Sequence, residues 1–222
     1  MFDRIARHYD FLNHALSLGI DVQWRKKAVA KLRDFPQGRF LDVATGTGDM
    51  AFLLAKRYPE ASVHGVDIAE KMLDIARKKL QRKGYDKRVT FASGDSENLA
   101  YESNSFDAVT VAFGVRNFED LQKGLTEMYR VVRPGGMAVI LEFSKPRSFP
   151  FKQLFGLYFR NLLPFIGKLQ SKDNRAYQYL YESVQAFPDY EHFNQELVKA
   201  GWKNPQYQVL SLGICALYTA SK

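Results

Sequence analysis

Cysteine and histidine are scarce in this chain. Its 222 residues include one cysteine and four histidines. The single cysteine, Cys215, excludes a disulfide within the chain and a metal site built from several cysteines, and it fits a reducing compartment. The histidines follow neither an HExxH nor a CxxC-type spacing. We therefore predict that the protein holds no metal and that Cys215 is a small buried strand residue.

Long apolar runs are also missing. Residues 149–169 contain six aromatic side chains among 21, but Lys152, Arg160 and Pro164 interrupt them, so this stretch is unsuited to span a bilayer. The first ten residues form neither an apolar signal core nor an acid-poor transit segment, because two aspartates interrupt them. With 46% hydrophobic and 25% charged residues, the composition is that of a globular protein. We expect it to be cytoplasmic.

Basic residues exceed acidic ones, and the formal net charge is +8. Such a balance suggests a polyanionic partner, either nucleic acid or an anionic membrane surface. Many of these basic residues fall on the surfaces of predicted helices, as in "ARKKLQRKGYDKR" at 76–88. A solvated helix surface explains this pattern more simply, so we expect no nucleic-acid partner.

Strand and helix patterns alternate through most of the chain. Apolar residues three or four apart predict two helices within residues 1–33, and the alternation begins at residue 39. The expected strands are 39–43, 61–67, 88–95, 105–113 and 137–143, and the expected helices start at Asp49 and cover 69–82 and 119–132, with a turn at 133–136. Near-continuous apolar strands between helices predict an α/β protein with a parallel sheet covered on both faces.

The last third of the chain departs from this alternation. A helical insertion over 147–187 precedes a helix at 190–201 and two strands at 203–211 and 213–222. The short turn between these strands predicts an antiparallel hairpin at the sheet edge. We therefore expect a single domain over 1–222, with residues 1–35 as an N-terminal helical addition and 147–187 as a lid over the substrate.

The stretch "LDVATGTGD" at 41–49 predicts a cofactor site, because an apolar strand runs directly into a glycine turn. Gly46, Gly48 and Ala51 also satisfy the G-x-G-x-x-G/A pattern of dinucleotide folds. A nucleoside triphosphate is disfavoured because the G-x-x-x-x-G-K-[ST] loop is missing. A dinucleotide and S-adenosylmethionine remain, and the glycines also have a simpler explanation in close helix-strand packing.

Acidic residues at successive strand ends favour the adenosyl cofactor. Asp67 ends the second strand, 19 residues after Gly48, where a carboxylate can accept the ribose hydroxyls of either cofactor. Asp95 and Ser96 follow the third strand, where they can bind an adenine amine. Asp42 lies close to the turn, so it would attract a sulfonium and an amino group but repel a pyrophosphate.

Two of these acids also have purely structural interpretations. Asp67 and Glu70 form a capping-box pattern, so Asp67 could simply start a helix. Asp95 could cap a turn. An antiparallel final strand nevertheless favours a methyltransferase, since a dinucleotide fold builds a second parallel half.

Four stretches resemble the quinone-biosynthesis C-methyltransferases, which methylate demethylmenaquinol or 2-polyprenyl-6-methoxy-1,4-benzoquinol. They are "YDFLNHALSLGIDVQW", "LDVATGTGD", "FGVRNF" with "MYRVVRPGGMAVILEFSKP", and "YQYLYESVQAFP" running on to "GICALY", and they span essentially the whole chain. The resemblance implies a class I S-adenosylmethionine-dependent methyltransferase fold, which is Rossmann-like and has seven strands with the seventh antiparallel. It also implies that the cofactor contacts are Thr47, Asp67, Asp95 and Ser96, and we add Asp42, Gly46, Gly48 and Met72. Three positions depart from the family pattern, with Leu12, Asp21 and Thr45 where methionine, histidine and glycine are frequent.

The reaction that this family implies is methylation of a quinol ring carbon, with demethylmenaquinol preferred and the benzoquinol as the alternative. A phenol has a pKa of about 10, so the enzyme must remove a proton or stabilise the phenolate. Arg116, beside Asn117, is our candidate for holding the quinol oxygen, and its alternative role is a structural salt bridge. We expect Arg116→Ala to keep cofactor affinity while it lowers turnover severely. The general base stays open among Tyr177, Tyr181, Tyr9 and His8.

The aromatic stretch 149–169 completes these expectations. Because a prenylated quinol carries an isoprenoid tail, we predict that this stretch lines a tail groove and touches the inner face of the membrane; plain core packing is the alternative. Liposome sedimentation with and without the stretch distinguishes the two.

A nucleic-acid methyltransferase and a non-catalytic cofactor-binding module are the rival functions. An N-P-P-[YF] tetrapeptide is common in enzymes that methylate base amino groups, and it is missing after the fourth strand. A homodimer is our working hypothesis for assembly, although no residue determines it.

Overall fold

The computed structural model describes residues 19–157 and 174–222, except for the side chains of residue 154 and of residues 174–178. The strands in this part are β1 (Arg39–Val43), β2 (Ser62–Asp67), β3 (Val89–Ser93), β4 (Phe106–Ala112), β5 (Val132–Phe143), β6 (Lys203–Leu210) and β7 (Cys215–Ser221). The helices are α1 (Asp21–Ala30), α2 (Asp49–Arg57), α3 (Glu70–Lys83), α4 (Leu121–Val131), α5 (Phe151–Leu157), α6 (Asn174–Ala186) and α7 (Glu191–Lys199). No helix among the described residues is long and apolar enough to cross a bilayer.

The strands form one mixed sheet with the order β3-β2-β1-β4-β5-β7-β6. Strands β1 to β5 pair in parallel, and β7 runs antiparallel to both β5 and β6. The predicted sheet and its terminal hairpin are confirmed. The chain leaves β1 toward β2 on one side and returns to β4 on the other, so the topological switch point lies between β1 and β4.

Apolar side chains fill both faces of the sheet. On one face, Trp24 of α1 and Leu54 of α2 pack with buried strand residues such as Val63. On the other face, Leu125 of α4 and Phe193 of α7 pack against the opposite sides of the same strands. Because both faces are covered, β1 and β4 need apolar residues at successive positions rather than at alternate ones. Cys215 is fully buried in β7, as predicted.

The helix ends follow from local chemistry. Helix α4 begins at Leu121 because the Asp120 side chain accepts a hydrogen bond from the Lys123 amide, at 3.0 Å. Helix α3 ends at Lys83 because Gly84 follows it with a φ of 68°, which is accessible at low cost only to glycine. Both helices lie within two residues of the ranges that the sequence predicts.

One prediction about the fifth strand needs correction. Residues 133–136 were expected to form a turn before the strand, whereas β5 already begins at Val132. The pairing with β4 jumps from Val132 to Met137 while β4 advances only from Phe106 to Ala108. The intervening residues therefore bulge out of the ladder, so the turn is contained within the strand.

Two expected elements fall outside the described residues. The first N-terminal helix lies within residues 1–18, and the segment 158–173 contains most of the predicted tail groove. The membrane contact of 149–169 stays a prediction. The second N-terminal helix is present as α1.

Candidate cofactor and substrate site

A cleft of about 440 Å³ opens at the carboxyl ends of the parallel strands. Its walls come from the loops that follow β1, β2, β3 and β4, so it lies at the switch point between β1 and β4. Open α/β sheets bind ligands at this position. The loops meet here because parallel strands all end at the same edge.

The charge of the cleft differs in sign from that of the whole chain. Four acidic residues line it, namely Asp67, Asp95, Glu97 and Glu119, and no lysine or arginine is among the described lining residues. The chain as a whole carries +8. An acidic cleft attracts a ligand that bears cationic groups and repels a pyrophosphate. This favours the sulfonium cofactor over a dinucleotide.

Asp67 is the central acid of the cleft. Its Oδ2 accepts a hydrogen bond from the Gly46 amide at 2.7 Å, and its Oδ1 accepts one from the Ala69 amide at 2.8 Å. A carboxylate offers about four acceptor positions, so both oxygens can also accept the hydroxyls of a ribose. The N-cap of α3 is Ala69 rather than Asp67. The capping-box interpretation of Asp67 is therefore wrong, and the carboxylate joins two loops at the cleft wall.

The two glycines of the turn have different environments. Gly46 lines the cleft with a φ of 56°, and its amide is fixed by Asp67. Gly48 has a φ of 85°, and a Cβ atom there would lie 2.7 Å from Cζ of Phe91. Gly48 thus permits close packing, as the structural alternative proposed, whereas Gly46 shapes the site itself. A cofactor contact of Gly48 stays a prediction.

Thr47 connects the turn to a neighbouring helix. Its side chain is buried, and its Oγ1 accepts a hydrogen bond from Nζ of Lys79 at 2.7 Å. Lys79 also donates to Oδ1 of Asp49 at 2.9 Å. These bonds hold α3 against the start of α2 and so fix the shape of the turn. A direct contact between Thr47 and the cofactor stays a prediction.

Asp42 is buried and is not among the residues that line the cleft, and its predicted contribution to cofactor binding stays a prediction. Its carboxylate is 1% exposed and accepts hydrogen bonds from Thr45 Oγ1 at 2.6 Å and Thr110 Oγ1 at 2.7 Å. Burial raises the pKa of Asp42 to about 6, while these two hydroxyls oppose the rise. The sequence places Asp42 near the turn but does not show that threonine hydroxyls occupy its oxygens. Asp42 therefore supports the turn from below.

Asp42→Asn is expected to remove a pH dependence of stability. The folded-state pKa of about 6 lies above the ordinary aspartate value of 3.8, so the folded protein holds the proton more tightly than the unfolded chain. This stabilisation is present at low pH and is lost as the pH rises through 6. The difference in unfolding free energy between wild type and Asp42→Asn should therefore change by about 1 kcal/mol between pH 5 and pH 8. Urea titrations at the two pH values measure it.

Asp34→Asn is the matched control, since it removes one carboxyl at a side chain that is 80% exposed. If the difference in unfolding free energy between wild type and Asp42→Asn is the same at pH 5 and pH 8, Asp42 does not titrate in this range.

The loop after β3 supplies two more of the predicted residues. Asp95 and Ser96 both line the cleft. Oδ1 of Asp95 accepts the Glu97 amide at 2.9 Å, so Asp95 does cap a turn, as its structural interpretation held. Its exposed carboxylate keeps acceptor capacity for an adenine amine. The two roles are compatible.

Apolar side chains complete the adenosyl part of the cleft. Met72 of α3 lines the cleft, and because it is only 3% exposed, its side chain is held in place by packing. Ile68 also lines it but is 70% exposed, which leaves an apolar surface at the rim that a flat ring can cover. We did not predict Ile68 from the sequence, although its position directly after Asp67 is a usable indication.

Arg116 is not among the residues that line the cleft, and its predicted role as the holder of the quinol oxygen stays a prediction. Its side chain is 1% exposed, and its Nη1 lies 2.6 Å from Oε1 of Glu142, which is fully buried. The same nitrogen donates to the Phe113 carbonyl at 2.7 Å. The structural salt bridge, which was the alternative role, is therefore present in the structure. Sequence reasoning missed Glu142, because nothing local relates it to a residue 26 positions earlier.

Asn117, next to Arg116, does line the cleft. Its Oδ1 accepts a hydrogen bond from the hydroxyl of Tyr179 at 3.0 Å. We did not predict Tyr179. Of the four candidate bases, Tyr9 and His8 lie outside the described residues, as does the side chain of Tyr177.

The fold and this site together define the class of protein. A seven-stranded sheet with an antiparallel seventh strand carries an acidic cleft at its switch point, with a carboxylate at the end of β2. The cleft fits an adenosyl group and an adjacent cation, because acceptors suit the ribose and adenine and acidic residues suit the sulfonium. The protein is an S-adenosylmethionine-dependent methyltransferase.

Comparisons with known proteins give the particular family. The model of the ubiE/COQ5 methyltransferase family matches residues 1–222, and the chain belongs to this family. A demethylmenaquinone methyltransferase of Bacteroides fragilis is 48% identical over 222 residues, which cover all of this chain and 91% of the relative. The ubiquinone/menaquinone biosynthesis C-methyltransferase UbiE of Geotalea daltonii is 47% identical, with coverage of 100% and 94%.

Solved structures agree on the fold. An S-adenosylmethionine-dependent methyltransferase of Thermotoga maritima, described as a possible histamine N-methyltransferase, superposes with a TM-score of 0.66. The match covers 100% of this chain and 98% of the other at 23% identity. The predicted class I methyltransferase fold is thereby confirmed, and membership of the methyltransferase family confirms S-adenosylmethionine as the methyl donor.

Proposed function

We propose that this enzyme transfers a methyl group from S-adenosylmethionine to a ring carbon of demethylmenaquinol. One observation carries the proposal: the chain matches a demethylmenaquinone methyltransferase over its full length at 48% identity. The acidic cleft supports the donor side of this reaction, because it accommodates a cation.

The acceptor must be activated as a nucleophile. Loss of a phenolic proton from the quinol places negative charge on the adjacent ring carbon, which can then attack the methyl group. The described lining residues include no arginine or lysine, so among them a hydrogen-bond donor is the group that can stabilise the quinol oxygen. Asn117 is the residue that we assign to this task, since it lines the cleft and its amide carries two N–H donors.

Positioning contributes to the rate as well. A donor methyl and a ring carbon that are held in line react as an intramolecular pair, and this orientation supplies a large part of many rate accelerations. Here the cofactor is held from the β2 and β3 loops, while Asn117 belongs to the loop after β4. The two reactants are therefore fixed from opposite walls of one cleft.

A second quinol is also a candidate substrate. The name of the Geotalea relative includes ubiquinone as well as menaquinone biosynthesis. This favours testing 2-polyprenyl-6-methoxy-1,4-benzoquinol beside demethylmenaquinol.

Labelled S-adenosylmethionine and each reduced quinol, presented in detergent micelles, form the direct test. We expect the label in the naphthoquinol product and a mass increase of one methylene, with lower transfer to the benzoquinol. The oxidised quinone is the matched control, because it has no phenolic proton to lose and should stay unmethylated. Efficient labelling of RNA with none in either quinol would overturn the proposal.

A further inference from the structure

An ion pair on helix α4 binds the loop that follows β3. Arg130 and Glu127 lie three residues apart on α4 and form two hydrogen bonds with each other, from Nε to Oε1 at 2.7 Å and from Nη2 to Oε2 at 2.8 Å. Both side chains also reach the backbone of the loop. Oε2 of Glu127 accepts the Leu99 amide at 2.8 Å, and Nη2 of Arg130 donates to the Leu99 carbonyl at 2.9 Å. One bidentate pair therefore binds both backbone polar groups of Leu99.

Further contacts on either side of Leu99 join the loop to α4. Nη1 of Arg130 donates to the Tyr101 carbonyl at 2.7 Å. The Leu99 side chain is 3% exposed and packs in the core on the sheet face that α4 covers. Nearer the cleft, Oε1 of Glu97 accepts the amide of Asp120, the N-cap residue of α4, at 2.7 Å. The loop is thus bound to α4 through its own backbone and through the Glu97 side chain.

The charge state of the pair suits this task. Hydrogen bonding from Arg130 holds the pKa of Glu127 below its ordinary value. An ionised carboxylate only accepts hydrogen bonds, so Glu127 can receive the guanidinium and the Leu99 amide together. The guanidinium only donates, and its planar N–H groups fit the carboxylate and the loop carbonyls at once.

The same loop carries the residues that are predicted to bind adenine. Asp95 and Ser96 line the cleft. The Asp95 carboxylate accepts the Glu97 amide at 2.9 Å, and the Asp95 carbonyl accepts the Asn98 amide at 3.1 Å. Asp95 is therefore bonded to the residues that lead directly to Leu99. Because a hydrogen bond weakens steeply with distance and angle, a displacement of this loop would misalign the Asp95 carboxylate with a bound adenine.

We propose that Arg130 and Glu127 are positioning residues for the methyl donor, which hold the loop after β3 so that the Asp95 carboxylate meets the exocyclic amine of adenine. This inference rests on the proposed function and on the adenine contact predicted for Asp95. Neither Arg130 nor Glu127 is among the described residues that line the cleft, so both act through the loop rather than by contact with the cofactor.

Arg130→Met is the first test, with two ligands compared by isothermal titration calorimetry. One is S-adenosylhomocysteine, the product left by the methyl donor, and the other is its analogue with hydrogen in place of the exocyclic amine. In wild type we expect the amine to strengthen binding about 10-fold, as one hydrogen bond to a charged acceptor does. In Arg130→Met this preference should fall to about twofold or less, because the carboxylate no longer meets the amine. A loss of folded protein would weaken both ligands equally, so the ratio of the two Kd values reports the position of the loop.

Three further variants make the result specific. Glu127→Gln keeps the size of the side chain but loses the charge that pairs with Arg130, so it should also lower the amine preference. Arg130→Lys keeps the positive charge without the planar fork, and it should retain part of the preference. Arg77→Met is the matched control, because Arg77 also pairs with an acid three residues away, Asp74 on α3, and its side chain is 38% exposed compared with 33% for Arg130. It should keep the wild-type preference.

Turnover separates this inference from the proposed function. With demethylmenaquinol as acceptor, Arg130→Met should raise the KM for S-adenosylmethionine about 10-fold, while kcat and the KM for the quinol stay within about twofold of wild type. An amine preference that is unchanged in both Arg130→Met and Glu127→Gln would overturn the positioning role, as would a wild type without any preference. If wild type prefers the amine but methylates no quinol, the proposed function is wrong, and the ratio of the Kd values still decides the inference.

Discussion

Replacing Asp67 by asparagine is expected to weaken the binding of S-adenosylmethionine about 100-fold. Each hydrogen bond from a ribose hydroxyl to a charged acceptor contributes about 1.5–3 kcal/mol, and the loss of about 3 kcal/mol corresponds to roughly two orders of magnitude in Kd. The substitution also places an NH₂ group against either the Gly46 or the Ala69 amide, which are both donors. The turn therefore loses part of its preorganised shape. Isothermal titration calorimetry measures the change in Kd.

Asp74→Asn is the matched control for this experiment. It makes the same chemical change on α3, at a side chain that is 59% exposed and pairs with Arg77. Its cofactor affinity should equal that of wild type. Wild-type affinity in Asp67→Asn would show that the carboxylate at the end of β2 does not bind the ribose, and the assignment of the cleft would then be wrong.

Replacing Glu142 by glutamine is expected to lower the free energy of unfolding by about 3–5 kcal/mol, because a buried guanidinium then loses its counter-charge. Glu142 is fully buried, and it accepts from the Arg116 side chain, the Arg116 amide and the Phe143 amide. Arg116→Ala should be destabilising for the same reason, so a fall in its activity would not by itself demonstrate a catalytic role. Urea denaturation followed by circular dichroism measures the change.

Two comparisons make this prediction specific to the buried pair. Glu70→Gln breaks a pair with Arg77 in which the side chains are 54% and 38% exposed, and it should cost less than about 1 kcal/mol. The double variant Arg116→Met with Glu142→Gln should recover part of the stability, because no unpaired charge stays buried. A Glu142→Gln protein as stable as wild type would contradict the structural role of the pair.

The ion pair between Arg116 and Glu142 lies beside the cleft and holds one of the loops that line it. Arg116 and Glu142 fix the loop that carries Asn117, and the Tyr179 hydroxyl donates a hydrogen bond to Oδ1 of Asn117. The Arg116 guanidinium is thus paired with Glu142 and holds the loop. The described residues that line the cleft include no lysine or arginine, so none of them would repel a sulfonium.

Much of the fold could be predicted from the sequence, because periodicity and turn chemistry are local. Runs of apolar residues predicted β1 and β4, the glycine turn predicted the start of α2, and the short turn near Gly213 predicted the antiparallel hairpin. Asp67, Asp95 and Ser96 were predicted in the site for a simple geometric reason. Residues at the ends of parallel strands meet at one edge of the sheet regardless of the details of packing.

The tertiary structure alone decided in which direction the polar side chains point and which groups they contact. Asp42 is adjacent to the turn in sequence, but its oxygens are occupied by Thr45 and Thr110. Arg116 follows the fourth strand as expected, yet it points to Glu142 on the neighbouring strand. Tyr179 and Asn117 meet through a helix that packs across the loop. Some of these contacts join residues that are far apart in the chain, and others depend on which direction a side chain takes. Local sequence spacing encodes neither the distant partner nor the side-chain direction. The sequence by itself therefore determined the sheet and the edge at which the cleft opens, and packing determined which polar groups line that cleft.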